Sequence, residues 1–454
     1  GIRLPVQVYP MFETAIRAKA GRTPEQHLKV ISELWSRFSE VAAGNPYAWS
    51  REPKTAEEIR TAGPANRMIG LPYTKYMNSN LDVDMGAALI MCSAAKAESL
   101  GVPRDRWVFP HSGSDCHEHP FISNRWSFAD TPAVELGGRR ALELAGLTMA
   151  DIDIVDLYSC FPSAVQLGAQ SLGLSLEQQL TRTGGLPFAG GPWNNYVMHA
   201  IATTVRDLRE GAGQKALVWA NGGYVSKHSF GVYGIEPCEK MFRSTHPQAK
   251  IDELPKRSLA APADAAGPAT IEAYTVMHTR DGEPERGIAA CLLGDGRRAW
   301  GTTDDEQLAT AMCHDEWVGR RVRLGDPGSG PGPAGAADSP AGGRPLLIYG
   351  CSGASARPGG RVRRSVPFAT GRRRAEPGRR EGIDYHVARL DARFVVLLRS
   401  NRLGLRRRRS AGGGRRGQAQ LPAGLHGARV PGHHDGPPDP RRFAQQPPWT
   451  ESIG

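Results

Sequence analysis

No run of 18 apolar residues occurs in this 454-residue chain, so nothing in it predicts a membrane-spanning helix. It opens on Gly1-Ile2-Arg3, with neither an initiator methionine nor a charged-then-apolar leader, and reads as a sequence truncated at its front. Its seven cysteines, at 92, 116, 160, 238, 291, 313 and 351, follow no framework spacing; reduced thiols in the cytoplasm are the expectation. Lysine is the next absence. Between Arg344 and Arg442 there are 23 arginines and not one lysine. Aromatics are scarce there as well: residues 325–454 hold only Tyr349, Phe368, Tyr385, Phe394, Phe443 and Trp449.

These absences divide the chain. Residues 325–454 carry 23 basic and 9 acidic groups, a net +14, so residues 1–324 carry −3 and the overall +11 belongs to the tail. The tail is rich in Gly, Pro and Ala, with runs such as Arg372–Arg374 and Arg406–Arg409 and one short apolar run, Phe394–Leu398. Such a composition buries too little apolar surface to offset chain entropy, and disorder is expected. Out-of-frame reading of a GC-rich coding sequence accounts for the proportions. A basic nucleic-acid-binding arm is the alternative; without interleaved aromatics it would bind non-specifically and weaken with salt.

What is present sits in three stretches. Asp151–Phe161 (DIDIVDLYSCF) reads as a strand running into a helix that begins near Phe161, with Ser159 and Cys160 at the turn, where free backbone N–H groups face a ligand. Thr183–His199 (TGGLPFAGGPWNNYVMH) is a Gly/Pro loop leading into an amphipathic helix over about Asn195–Leu208. Ala216–Gly234 (ALVWANGGYVSKHSFGVYG) is a buried strand that stops at Asn221-Gly222-Gly223, followed by Lys227, His228 and a short strand, Phe230–Tyr233.

In order and spacing these stretches resemble the C-terminal half of a thiolase, of the acetyl-CoA acetyltransferase branch related to the sterol carrier protein x thiolases. The resemblance runs from about Gly1 to Gly234 and implies an α/β chain: the C-terminal half of an αβαβα fold, with a small β-barrel-like domain and a disordered basic tail. The implied boundaries are 1–80 for the remnant of the first half and its loop domain, 81–246 for the second half, 247–324 for the β domain and 325–454 for the tail. It also implies an acyltransferase ancestry: a coenzyme A thioester as substrate, no further cofactor and no metal. The intact form is expected as a homo-oligomer or with a partner subunit, because an isolated half exposes apolar surface.

The departures bear on activity. A thiolase needs a nucleophilic cysteine, a histidine to activate it and a second cysteine as acid/base, since only a thiolate both attacks and leaves a thioester readily at neutral pH. Here the Gly-His-Pro motif reads Gly190-Gly191-Pro192 and Cys-x-Gly reads Ala220-Asn221-Gly222. The segment carrying the nucleophile is not recognisable. The residues left to act as catalytic groups are His228, His199, Cys160 and Tyr158; those left to bind coenzyme A are Gly190, Gly191, Asn221, Gly222, Gly223 and Lys75. Each has a plain alternative: a packed histidine satisfied by backbone, a small packing thiol, a structural tyrosine, a solvated lysine. The expectation is a catalytically incomplete family member; the alternatives are a non-catalytic acyl-CoA-binding or scaffold partner, and a nucleic-acid binder through the tail.

Elsewhere, Met11–Ala20 and Glu25–Ala43 read as helices, the second started by Thr23-Pro24. Met85–Leu100 reads as an Ala-rich helix of the kind found at the centre of a thiolase half. His111, Cys116, His117 and His119 fall on what reads as a loop, without a zinc-finger spacing. In the β domain, Ala269–His278 and Arg286–Leu293 flank an Arg280-Asp281-Gly282 turn, Thr303–Met312 reads as a helix capped by Thr303, and Glu316–Leu324 as a closing strand, together an OB-type barrel.

Overall fold

The computed structural model describes residues 2 and 4–325 and the backbone of 347–350 and 394–398. In chain order its elements begin with the helices α1 (Pro5–Lys19), α2 (Pro24–Gly44) and α3 (Ala56–Arg60), then β1 (Met68–Gly70), β2 (Tyr73–Thr74), β3 (Leu89–Ser93) and α4 (Ala94–Ser99). Next come β4 (Phe109–His117), α5 (Pro132–Ala145), β5 (Ile154–Leu157), α6 (Pro162–Leu172), α7 (Gly185–Phe188), α8 (Tyr196–Arg209), β6 (Lys215–Gly222), β7 (Lys227–Gly234) and β8 (Arg243–Thr245). The last group is α9 (Gln248–Asp252), β9 (Gly267–His278), β10 (Pro284–Leu293), β11 (Arg298–Thr303), α10 (Glu306–His314), β12 (Arg321–Gly325), β13 (Leu347–Gly350) and β14 (Phe394–Leu398). No described helix is long and apolar enough to cross a membrane.

The helix signals in the sequence work as local chemistry requires. Thr23 accepts from the Gln26 N–H and Gln26 answers back to the Thr23 N–H, with Pro24 in the first turn of α2. Pro162 begins α6, and Gly173 ends it at φ +70°, a conformation other residues resist.

A five-stranded sheet, ordered β5-β6-β7-β4-β8, forms one layer. Its covered face packs on α5 and α6. There Trp219 of β6 lies against Gly168 of α6, whose added Cβ would fall 2.4 Å from the indole, and Phe230 of β7 lies against Gly137 and Gly138 of α5. The same face of β4 is polar. Ser112, Ser114 and Cys116 donate to the carbonyls of Ala141, Gly137 and Ala133, one helical turn apart on α5, at 2.6, 2.5 and 3.2 Å. Polar side chains are thus buried with every donor satisfied. The segment read as a loop around His111–His119 is therefore a strand as far as His117.

The second sheet closes on itself: β9 pairs with β10, β10 with β11, β11 with β13, β13 with β12, and β12 with β9. This is the barrel expected from the sequence, with α10 between its third and fourth strands in chain order. It is not separate from the front of the chain, because β1 joins it through Gly70↔Met277 and Thr14 of α1 donates to the Tyr274 carbonyl. Arg298, wholly buried, holds Glu272 at 2.8 and 2.9 Å and donates to the carbonyls of Ser123 and Arg125 at 2.7 Å, tying barrel to sheet layer.

Three readings need correction. Met85–Leu100 is not one helix: Leu89–Ser93 is a strand, and only Ala94–Ser99 is helical, capped by the Ser93 hydroxyl. Ile90 and Met91 stand more than half exposed, so the buried central helix is α6 instead. Thr303 does not cap α10; it ends β11, and the Asp305 carboxylate accepts from the Leu308 N–H. Finally, two runs of the tail are strands: β13 lies in the barrel and β14 pairs antiparallel with β3. The rest of the tail, with the expectations of disorder and nucleic-acid binding, lies outside the described residues.

Candidate functional site

A cleft of about 590 Å³ opens where β4 and β6 end and β7 begins. Tyr158, in the turn after β5, forms one wall; Trp193, just before α8, and Val197, in its first turn, form another. Asn221, Gly222, Lys227 and His228 come from the β6–β7 turn, and His117 and His246 complete the rim. Pleating sorts these groups. Asn221, His228 and Cys116 are cross-strand neighbours in one row on the covered face, whereas Asp115, His117, Lys227 and Ser229 belong to the other, open face.

On the open face charge is available. Lys227 is exposed, with no carboxylate within 4 Å among the described residues. His246 Nδ1 meets the Asp115 carboxylate at 2.8 Å. Trp193 stands 63% exposed with φ 48°, a left-handed conformation uncommon outside glycine and a mark of local strain.

On the covered face the groups are starved of solvent. His228 is 3% exposed and neither ring nitrogen has a hydrogen-bond partner. Burial, and then the Arg125 guanidinium, lower its pKa to about 3; the Val225 backbone acts the other way but falls short of hydrogen-bond geometry. Cys160 takes the Asn221 Nδ2 at 3.8 Å, and burial pushes its thiol up to about 12. Cys116 is likewise pushed up to about 12 by burial. Burial also raises the Tyr158 hydroxyl, whose ring meets Tyr196 edge-on at 5.2 Å. At pH 7 these thiols and the phenol are neutral, and His228 is an uncharged imidazole.

Of the residues singled out in the sequence, Tyr158, Asn221, Gly222 and His228 are brought together at the cleft. Cys160 sits behind them, against Asn221 and Tyr9. Gly223 turns the chain, and its carbonyl accepts from Tyr9 at 3.0 Å. His199 is one turn into α8, beside Asn195 at 3.4 Å, and is not part of the lining. Gly190 and Gly191 lie under the segment 80–85, with the Gly191 N–H donating to the Asn80 carbonyl at 2.8 Å. Lys75 is exposed in the turn after β2, away from the lining.

Sequence reading missed Tyr9, Trp193 and the Asp115–His246 pair. Tyr9 receives the Asn221 Nδ2 at 3.2 Å across 212 residues and stacks on Phe161 at 4.3 Å, a contact no local pattern discloses. Trp193 carried a signal, since a bulky aromatic directly after Gly-Gly-Pro is poorly placed for a core.

Comparison with known proteins agrees with this architecture. Residues 247–329 match the family described as the thiolase-like protein type 1 additional C-terminal domain. A solved structure, that of a monomeric SCP2-thiolase-like protein type 1 from Mycobacterium smegmatis, is 37% identical with a TM-score of 0.65, covering 71% of each chain. The acetyl-CoA acetyltransferase of Methanothermobacter thermautotrophicus is 25% identical over 251 residues, which are 52% of this chain and 62% of that protein. That of Methanocaldococcus jannaschii is 24% identical over 129 residues, 28% and 31%. The chain thus spans under two thirds of these curated relatives, and its fold is thiolase-like.

Proposed function

Because the chain belongs to the SCP2-thiolase-like proteins of type 1, in the thiolase superfamily, we propose that its cleft binds an acyl-CoA thioester and that it performs neither acyl transfer nor thiolysis. The observation that carries this reading is the pairing of an open cleft that presents the Lys227 ammonium with neighbouring thiols held protonated. Lys227 offers an uncompensated ammonium to the phosphates of coenzyme A, and the exposed Trp193 indole offers a stacking face for adenine. Against turnover stand Gly191 and Ala220, at the positions that the resemblance gives to the histidine and the acid/base cysteine. The thiols nearest the cleft, Cys116 and Cys160, are held protonated by burial.

The test is calorimetric titration of the whole chain with coenzyme A and acetyl-CoA, alongside a thiolysis assay with acetoacetyl-CoA. Binding is expected without turnover. Lys227→Ala should weaken binding by about ten-fold or more, the loss expected for one charge-assisted contact. Thiolysis above the uncatalysed rate, or no binding of either ligand, overturns the reading.

A further inference from the structure

We propose that a second site, which shares no residue with the cleft and does not depend on the reading given to it, binds a free α-amino acid with an apolar side chain. The site is a pocket of about 340 Å³ lined by the C-terminal turns of α1 and α6, within the size range of small-molecule sites.

Its polar groups ask for two different charges. Arg22 lines the pocket and has no carboxylate within 4 Å among the described residues. A guanidinium can only donate, so His27 Nδ1 accepts from its Nη1 at 3.4 Å, and that contact positions the group. Lys19 lines the pocket too, but Asp130 already pairs with it. The uncompensated cation is thus Arg22, a partner for a carboxylate. Gln166 and Gln170 ask for the opposite. Gln166 Nε2 donates to the Glu13 carboxylate at 2.6 Å and Gln170 Nε2 to that of Asp130 at 3.0 Å. A carboxylate only accepts, so both amides are fixed nitrogen-first, and neither Oε1 has a partner among the described residues. Gln166 is only 5% exposed, so its spare acceptor must take a donor from whatever fills the pocket. The C-terminal ends of the two helices, which carry negative partial charge, favour a cationic donor there.

The rest of the wall is apolar. Ile16 is buried at its base, and Leu174 and Leu176, in the segment after α6, are half-buried beside it. A carboxylate for Arg22, an ammonium for the amide oxygens and a hydrocarbon for these side chains coincide in one small molecule, an apolar α-amino acid. A fatty acid would leave the amide oxygens unanswered, an alkylamine would leave Arg22 unanswered, and glycine would leave the apolar wall bare.

Calorimetric titration of the full chain with L-leucine and L-phenylalanine decides the matter, beside isocaproate, isopentylamine and glycine, each of which lacks one part of leucine. An amino acid should bind with a Kd of about 1 mM or tighter, and each of the three fragments about ten-fold more weakly or worse. Arg22→Gln should weaken amino-acid binding by about ten-fold, the loss of one charge-assisted contact. Ala20→Phe, at an exposed position in the pocket wall, should block the site without touching the core, and serves should the first variant not fold. No binding of either amino acid at about 10 mM overturns the proposal. So does isocaproate or inorganic phosphate binding as tightly as leucine, which would make this a plain anion site, and so does amino-acid binding that Ala20→Phe leaves undiminished.

Discussion

His228 should make this protein acid-labile in a way one substitution can isolate. The imidazole is buried beside Trp219 at 5.8 Å between ring centres, with Cys116 and Asn221 as cross-strand neighbours and the Arg125 charge nearby. Its pKa is lowered from 6.5 to about 3, so the folded chain keeps it neutral while the unfolded chain protonates near 6.5. The stabilisation is fully present above pH 6.5 and is lost as pH falls toward 3, a span worth about 4–5 kcal/mol at 1.36 kcal/mol per unit. Asp156 works in the opposite sense. Burial raises its carboxyl from 3.8 to about 6, so the folded state favours the protonated form and its stabilisation fades as pH rises through 6, by roughly 3 kcal/mol. Wild-type stability alone therefore mixes two slopes between pH 4 and 6. The difference between wild type and His228→Leu does not, because Asp156 and every surface carboxylate cancel. At pH 7 the variant should be no less stable than wild type, since removing two orphaned nitrogens offsets a small repacking cost. At pH 4 its advantage should have grown by about 3 kcal/mol. Urea unfolding of both proteins at pH 4, 5, 6 and 7 measures this directly. A stability difference that stays constant across that range would refute the reasoning.

Two further outcomes concern packing. Arg298→Met should destabilise by about 2–4 kcal/mol in chemical unfolding, since the partly buried Glu272 keeps only Arg257, at 3.9 Å, and the carbonyls of Ser123 and Arg125 lose their donor. Adding Glu272→Met should recover part of that loss. Gly168→Ala should cost about 1–3 kcal/mol and alter the near-ultraviolet signal of Trp219, because the new methyl falls 2.4 Å from the indole; an unchanged spectrum would mean that α6 does not press on β6 as described.

The parts of this fold legible in the sequence are those whose burial is apolar and whose ends are punctuated locally. The β-branched run Ile154–Leu157, the Pro162 helix start, the Ala216–Ala220 strand and the Arg280-Asp281-Gly282 turn all fall in this class. Strand β4 fails the test because the residues it turns onto α5 are Ser112, Ser114 and Cys116: their partners are helix carbonyls, and a polar-in pattern looks like a loop. Leu89–Ser93 fails for another reason. Its alanine-rich surroundings favour helix, while its strand partner lies some 300 residues away, at Phe394–Leu398. At the site, the residues named from motifs lay on β6, β7 and the turn after β5, where the spacing is short. Trp193 and the Asp115–His246 pair reach the cleft, and Tyr9 supports Asn221 behind it, only through tertiary approach, which hydrophobic periodicity does not encode.

The proposed lack of turnover has a counterpart in the structure around Gly190 and Gly191. An added Cβ at Gly191 would meet the Asn80 carbonyl at 3.1 Å and Leu81 at 3.4 Å, and Gly190, at φ +107°, would drive one to 2.5 Å from the Met85 sulfur. Segment 80–85 therefore occupies the room an imidazole would need, and a histidine at 191 would have to displace it. The two thiols beside the cleft fare no better. With pKa values of about 12, only on the order of one molecule in 10⁵ would carry the thiolate at pH 7. Binding the anionic end of the proposed ligand needs none of this machinery, because it asks only for Lys227 and the rim of the cleft. On the proposed reading, a scaffold that fills the space over positions 190 and 191 while its cleft stays open would hold a thioester without cleaving it.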